Sequence, residues 1–565
     1  MILDNPQRIK EFGEKGWWDN LTIDDIFKNN VDKYPDFLAL IDPLNRATFT
    51  IGEPQRFTFS EMDEKVNQLA TALLKAGIRK DDIVGLFLPN IWELVISYLA
   101  IARIGAIANP YAPSLREYEI GKMGSFTGIK AMITTAQFKD RDLVDITRTT
   151  MSDIPTLKFI FAIGIEDKEN EYSLDRIFAT PADADLLNQH TQANPVDPND
   201  IFTICWTSGT TGMPKGVPRS HNLWTIMGHA SREGAGINHD YIFLNPFPIV
   251  NMGGIGGGMI PWLQSGCRMV LHQPFELPIF LKQIVAEQVT YSIAPPALLN
   301  ILLKNEAILA NVDISSVKVL GSGSAPLSPW MIKGWKEKYG VQVTNFFASN
   351  EGVCLLGAPN SIPDVEKRAT FFPSFGAEGS DFGDIRVIQG MHTKLIDIQS
   401  GEKIDALNVS GELCVKGPTV FAGYYKAPKA NKEVFDAEGF FRTGDVFELV
   451  EDEGTKYYRF VERCKDIIIR GGANIAPATI EALLVDMPTL AESAIVGYPD
   501  EDLGERLALF VVPKEGQTIA FEEVIAHLRA KKIASYKLPE KLYTIDALPR
   551  NPVGKILRRV LREKV

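Results

Sequence analysis

The chain has 565 residues, 45% hydrophobic and 23% charged, which is too long for one ordinary core and apolar enough to build at least two. Its formal net charge of −12 excludes a general nucleic-acid binder, which would present a basic face, yet leaves room for anionic ligands gripped by a few local cations. The five cysteines, Cys205, Cys267, Cys354, Cys414 and Cys464, show neither metal-ligand spacing nor a disulfide framework, which fits a reducing cytoplasm.

The opening MILDNPQRIKEFGEKGWW lacks the apolar stretch of a secretory signal. Residues 56–77, RFTFSEMDEKVNQLATALLKAG, predict a short strand, an N-cap at Ser60 and an amphipathic helix ending at Gly77. DDIVGLFLP at 81–89 predicts a buried strand closed by proline. The most membrane-like stretch, 91–110, contains Glu93 and Arg103 and ends at a proline. It reads as a buried helix, since a bilayer requires ~20 uninterrupted apolar residues. Further strands are expected at 131–135, 158–164, 200–207, 316–325 and 341–348.

Helical and strand patterns alternate from about residue 20 to 340, which predicts an α/β fold of stacked parallel-sheet layers. From about 375 to 462 the pattern changes to short strands and glycine-rich turns, a β-rich subdomain. The segment 465–565 contains two amphipathic helices, ATIEALLVDM and FEEVIAHLRAKK, with strands ESAIVGY and RLALFVVP between them. The expected division is therefore an N-terminal core over 1–464 and a small α+β domain over 465–565.

One stretch, WTSGTTGMPKGVPRSH at 206–221, interrupts this alternation. Thr207, Ser208, Gly209, Thr210, Thr211 and Gly212, followed by Pro214, Lys215 and Gly216, bury no apolar surface. Such a run suits a loop whose backbone N–H groups and hydroxyls face phosphate oxygens, with Lys215 as a mobile positive charge. It is not a Walker A loop, because G-x-x-x-x-G-K-[ST] cannot be read through it. The strand before it places the loop at a carboxyl end, where ligands of α/β sheets collect. A flexible linker would need neither the lysine nor the buried strand.

TSGTTGMPKGV resembles the signature loop of the adenylate-forming superfamily, which includes acyl-CoA synthetases, aryl-acid AMP ligases, peptide-synthetase adenylation domains and firefly luciferase. GSAPLS (323–328), NFFASNEG (345–352), GELCVKGPTVFAGYYK (411–426), FRTGDV (441–446), VERCKDIIIRGGANIAPATIE (461–481) and PRNPVGKILRR (549–559) follow in the family's order. The resemblance thus runs through nearly the whole chain. It implies attack of a carboxylate on the α-phosphorus of ATP, loss of pyrophosphate, and displacement of AMP by a thiol. ATP, Mg²⁺ and coenzyme A are the implied partners.

The resemblance also implies roles for particular residues. Thr207, Ser208, Gly209, Thr210, Thr211, Gly212 and Lys215 would hold the pyrophosphate, and Gly323 and Ser324 fall within the nucleotide site. Lys555 matches the catalytic lysine that reaches the carboxylate and the α-phosphate. Asp445 and Arg463 match the ribose-binding pair, and a carboxylate with two acceptor oxygens suits a vicinal diol. Phe347 takes the place of an aromatic that stacks on adenine, Asn345 that of a side chain reading its amino edge, and Glu351 that of the Mg²⁺ ligand. Lys465 corresponds to the hinge about which the C-terminal domain turns between half-reactions, and Gly471 and Gly472 to the passage for pantetheine.

Two positions depart from the pattern. Asn350 replaces the threonine that contacts phosphate, and Asn251 stands near the place of a histidine that helps receive the acid. The acyl pocket is expected from 247–258, 295–301, 321–324 and 346–354, where Gly253, Gly254, Gly256, Ala297 and Ser322 leave room beside apolar neighbours. A hydrophobic fatty, alicyclic or aromatic acid is expected. The opening KGWWDNLTIDDIF is also similar to those of aryl-acid AMP ligases, so an acyl carrier protein is an alternative acceptor to CoA. A luciferase-like oxygenase and a non-catalytic nucleotide-binding scaffold are readings of other classes.

Overall fold

The computed structural model describes all residues except 208–213, 324, 376–386, 388–389, 471–472, 501–502, 532, 534 and 551–554, together with the side chains of 473 and 474. The chain divides into two compact units. The larger comprises Met1–Gly376, Asp381–His392 and Lys416–Gly439; the smaller comprises Ala377–Ser380, Thr393–Val415 and Phe440–Val565. The α/β class, with a large N-terminal part of stacked layers and a smaller C-terminal part, agrees with the sequence reading.

Two sheets build the larger unit. One orders its strands Glu171–Ser173, Phe159–Ile163, Ala131–Thr135, Ile83–Phe87, Ile107–Pro110, Ile201–Thr207 and Lys215–Ser220. All neighbours are parallel except the last pair, in which Thr207 lies opposite Lys215. Every residue of Ile83–Phe87 and Ala131–Thr135 is buried, as expected for a parallel sheet covered on both faces.

The helix that precedes the first of these strands in the chain is Phe59–Lys75, and its cap is Thr58, not Ser60. Thr58 has extended backbone and accepts from the Glu61 N–H, while Glu61 reaches back to the Thr58 N–H. Reciprocity with a glutamate three residues on decides the position, and Ser60 can only share its hydroxyl with Thr58. Helix Trp92–Ile104 is buried along its whole length and ends at left-handed Gly105. Its two charges are tolerated because each is paired: Glu93 with Arg46, and Arg103 with Asp24 and Asp63. No helix among the described residues is long and apolar enough to cross a membrane.

The second sheet runs Cys354–Gly357, Gln342–Ala348, Val319–Gly323, Tyr291–Ile293, Ile242–Asn245, Arg268–Leu271, Leu38–Ile41 and Arg56–Thr58. It is antiparallel only at its two edges. One of its faces, with Leu244, Ala294, Leu320 and Val343, packs on Leu298, Leu302, Met331 and Trp335 from the covering helices.

The smaller unit pairs Phe441–Asp452 with Thr455–Arg463 in a long hairpin, flanked by Ser410–Lys416. A second hairpin, Leu490–Asp500 with Gly504–Pro513, takes Lys541–Thr544 as a parallel neighbour. Helices Pro477–Leu484 and Phe521–Ala530 bury Ile480, Leu484, Val524 and Leu528 against Ile495, Leu507 and Leu509.

Candidate functional site

In the larger unit the strand that follows the small-residue loop brings Lys215 to an aromatic face. Its Nζ lies 4.6 Å from the centroid of the Tyr424 ring. The Tyr424 hydroxyl in turn donates to Glu351 Oε1 at 3.0 Å. Burial, and then the Glu351 charge, push this phenol well above its usual range, so it stays protonated and can donate to the carboxylate. Asn431 fixes the tyrosine by accepting from its N–H at 2.7 Å and donating to its carbonyl at 3.1 Å. Gly423, at φ +140°, lets Asn431 approach where a side chain would collide. A lysine, a phenol and a carboxylate therefore stand in a row.

Asn350, next to Glu351, makes a bridge. Its Oδ1 accepts from the Met252 N–H at 2.8 Å, and its Nδ2 donates to the Trp206 carbonyl at 3.2 Å. Its own carbonyl accepts from Arg219 at 2.8 Å. Arg219 is fully buried and also donates to the carbonyls of Leu223 and Thr419. Burial pushes this guanidinium down to about 10, against the pull of Cys205, Cys354, Glu351 and Asp4. The stem of the small-residue loop, the segment after Asn251 and the base of Glu351 are thereby tied together.

Other expected residues fall as follows. Thr207 Oγ1 lies 3.5 Å from the Lys215 carbonyl, and Ser208, Gly209, Thr210, Thr211, Gly212 and Ser324 lie outside the described residues. Asn345 is buried and spends its amide on the carbonyls of Arg368 and Ala369, at 3.1 and 3.0 Å. Phe347 is half-buried, with its ring centroid 5.8 Å from that of Phe372. A Cβ on Gly323 would meet the Phe346 carbonyl at 2.2 Å, so backbone passes backbone there. Asn251 Oδ1 accepts from Gly253 N–H at 3.1 Å, and Gly254 lies against the Pro248 carbonyl. Ser322 is buried and donates to the Ala294 carbonyl at 2.8 Å, and Ala297 is exposed.

In the smaller unit Asp445 and Arg463 face each other across the hairpin, with Arg463 Nε 2.6 Å from Asp445 Oδ1. The turn that presents Asp445 is built by left-handed Gly444, whose N–H donates to Glu412 at 3.0 Å, and by Thr443, whose hydroxyl accepts from the Asp445 N–H at 3.1 Å. Lys555 belongs to the same ionic group. Lys555 is exposed by surface area, yet the protein bulk close to its ammonium, then the Arg463 cation, draw it down to about 8, with Asp445 pulling the other way. Lys465 sits in a single 3₁₀ turn, Cys464–Asp466, to which Arg562 bonds through the Lys465 carbonyl at 3.0 Å and Asp466 at 3.1 Å. Gly471 and Gly472 lie outside the described residues.

Among the described residues no three His, Cys, Asp or Glu side chains cluster as a metal cage. Glu351, expected as the Mg²⁺ ligand, offers a carboxylate, a hard-oxygen donor of the kind that ion takes together with phosphates and water. Sequence reasoning missed Tyr424 and Arg219. Both stand in runs that carry the resemblance, Tyr424 in GELCVKGPTVFAGYYK and Arg219 in WTSGTTGMPKGVPRSH, but neither residue type by itself marks a contact.

A family profile for AMP-binding enzymes matches residues 27–425, and one for the AMP-binding enzyme C-terminal domain matches 479–555. The chain is 28% identical to a 4-coumarate–CoA ligase of Pinus taeda, over 97% of its own length and 95% of that enzyme. It is also 28% identical to a 2,3-dihydroxybenzoate-AMP ligase of Bacillus subtilis, over 99% and 97%. The fold is similar to that of ATP-bound MatB from Rhodopseudomonas palustris, at a TM-score of 0.78 and 23% identity, covering 96% of this chain and 99% of that one.

Proposed function

Because the chain belongs to the AMP-binding enzyme family, we propose that it is a Mg-ATP-dependent ligase that joins a hydrophobic carboxylic acid to coenzyme A through an acyl-adenylate. The observation that carries this reading is Lys555. It ends the segment matched by the C-terminal family profile, and its ammonium is set in the field of Asp445 and Arg463.

The first step spreads charge over phosphoryl oxygens, so positioned cations and donors supply most of the catalysis. Lys555 is the group assigned to the approaching carboxylate and α-phosphate. Lys215 and the hydroxyls and N–H groups from Thr207 to Gly212 are assigned to the leaving pyrophosphate. Glu351 would hold Mg²⁺, which supplies neutralising charge to the triphosphate when bound. Asp445 with Arg463 is assigned to the ribose, and Phe347 with Asn345 to adenine. The domain boundary is placed at Lys465, the proposed hinge, with Gly471 and Gly472 flanking the pantetheine. We place the enzyme in a reducing cytoplasm, because none of its five cysteines, all described, forms a disulfide.

Incubation with ATP, Mg²⁺, CoA and a panel of aryl, alicyclic and chain acids is expected to give AMP, pyrophosphate and an acyl-CoA. Absence of AMP and pyrophosphate with every acid defeats the reading. Loading of an acyl carrier protein is a second reading, favoured by full-length similarity to an aryl-acid AMP ligase. A phosphopantetheinylated carrier that outcompetes CoA as acceptor would replace the first reading with the second.

A further inference from the structure

One face of the eight-stranded sheet carries, among the described residues, three buried polar groups without a hydrogen-bond partner, the Thr344 hydroxyl and, closer together in the sheet's middle, groups of Tyr291 and Asn245. Tyr291 is fully buried beside Phe243, ring centroids 5.0 Å apart, and its hydroxyl has no hydrogen-bond partner. Phe243 and Tyr291 are cross-strand neighbours, so Asn245, two residues beyond Phe243, projects from the same face. Asn245 is also fully buried; its Oδ1 accepts from the Phe247 N–H at 3.1 Å, while its Nδ2 has no partner. A buried donor without a partner bears its full desolvation penalty, and such groups in a native fold call for an explanation.

Both groups lie against bare backbone. A Cβ on Gly321 would stand 2.8 Å from the Tyr291 hydroxyl, and one on Gly258 would stand 2.7 Å from Asn245 Nδ2. These glycines fall in the segments 321–324 and 247–258 expected to line the acyl group. The opposite face of the same strands turns Leu244, Ala294 and Leu320 toward its helices, and its hydroxyls are satisfied: Ser292 donates to the Leu244 carbonyl and Ser322 to the Ala294 carbonyl, each at 2.8 Å. The strand polar groups that lack a partner therefore lie on the Tyr291 face, beside glycines of the segments expected to line the acyl group.

We propose that the Tyr291 hydroxyl and the Asn245 amide form a polar floor of the acyl site, and that the acid carries an oxygen acceptor at the end remote from its carboxylate. A ring or chain ketone, ether or hydroxyl satisfies both donors; a plain hydrocarbon tail leaves both stranded. This inference rests on the acid-activating reading and narrows it from a hydrophobic acid to an oxygenated one. A site built to donate hydrogen bonds discriminates against the analogue that lacks the acceptor, because the unpaired donors then stay buried.

The test uses paired acids of one frame: hydrocinnamic acid against its para-hydroxy derivative, and cyclohexanepropionic acid against its ring-ketone counterpart. The oxygenated member is expected to lead in kcat/KM for pyrophosphate release by about tenfold, the worth of one well-made hydrogen bond over an unpaired donor. In Tyr291→Phe the ratio falls toward unity with no loss of Tm, since the change removes an unbonded hydroxyl. A purely structural tyrosine would lower Tm and leave the ratio alone. Calorimetric binding of the same pairs reads the ratio without turnover. Failure of every acid to release pyrophosphate therefore strikes the acid-activating reading, whereas an oxygenated probe that binds no tighter than its twin, or an unchanged ratio in Tyr291→Phe, overturns this inference.

Discussion

Lys215 in the larger unit holds its ammonium over the face of Tyr424, whereas Lys555 in the smaller unit is surrounded by charges of both signs, Arg463 and Lys465 against Asp445 and Asp466. The first arrangement is a cation on a neutral, polarisable partner, worth about 0.5–1 kcal/mol where solvent reaches it. Phosphate oxygens bind an ammonium more strongly, through charge-assisted hydrogen bonds, so in the proposed function the ring is a resting place that Lys215 leaves when ATP binds. In the second arrangement, desolvation first and the Arg463 cation next lower the lysine to about 8, so its charge changes with pH near neutrality. In the proposed function one lysine works by exchanging partners, and the other is set by desolvation and the local field.

That contrast can be broken most severely at Lys555. Lys555→Ala is expected to slow acid-dependent ATP–pyrophosphate exchange by about 10²–10³-fold, the scale for losing one group that stabilises developing charge. The proposed role needs the ammonium form, and with the group lowered to about 8 that form is lost as pH rises through about 8. Adenylation should therefore decline on the alkaline side of pH 8. Lys555→Arg, whose guanidinium stays charged to about pH 12, should lack that decline in whatever activity it retains. The check is kcat/KM for pyrophosphate exchange against pH in both proteins. An undiminished rate in Lys555→Ala removes the lysine from the chemistry and with it one side of the comparison.

What the sequence could and could not disclose follows the same line. Lys215, Glu351, Asp445 and Lys555 could be singled out as candidates because each stands in a short run that resembles a family motif. Strand positions such as Ala131–Thr135 were legible because full burial leaves a continuous apolar run. The N-cap at Thr58 was misread by two residues because propensity cannot rank two neighbouring hydroxyls, and the reciprocal bond from Glu61 decides it. The bonds of Asn350 to Met252 and Trp206 span 98 and 144 residues of chain, and no local pattern announces them. For the same reason Asn350 looked only like a departure from a threonine.

The Asn350 bridge sharpens the comparison by asking what holds the Lys215 side in place. In Asn350→Ala the Met252 N–H and the Trp206 carbonyl lose their partner, at a cost of about 1–3 kcal/mol for stranded buried polar groups. The expected result is a lower Tm and higher KM values for both acid and ATP, with the alkaline decline set by Lys555 unmoved. Asn350→Asp keeps the acceptor for Met252 and loses the donor to Trp206, so it should weaken ATP more than acid. Differential scanning calorimetry and the two KM values read these together. A KM change confined to the acid would place the bridge wholly on the acyl side.

The smallest effect is expected at Tyr424, and it separates its two contacts. Tyr424→Phe keeps a ring face for Lys215 but removes the 3.0 Å bond to Glu351. The carboxylate loses a neutral donor, worth about 0.5–1.5 kcal/mol net, and is freed to turn. The Mg²⁺ concentration for half-maximal rate should rise by roughly two- to tenfold, with kcat at saturating Mg²⁺ nearly restored. Tyr424→Leu removes the ring as well. If the ring is only a resting place, Leu adds little to the defect of Phe at saturating ATP, because phosphate has by then taken the ammonium. A further large fall in kcat for Leu would mean that Lys215 works from the ring face, and the contrast between the two lysines would have to be redrawn as one between two fixed cations.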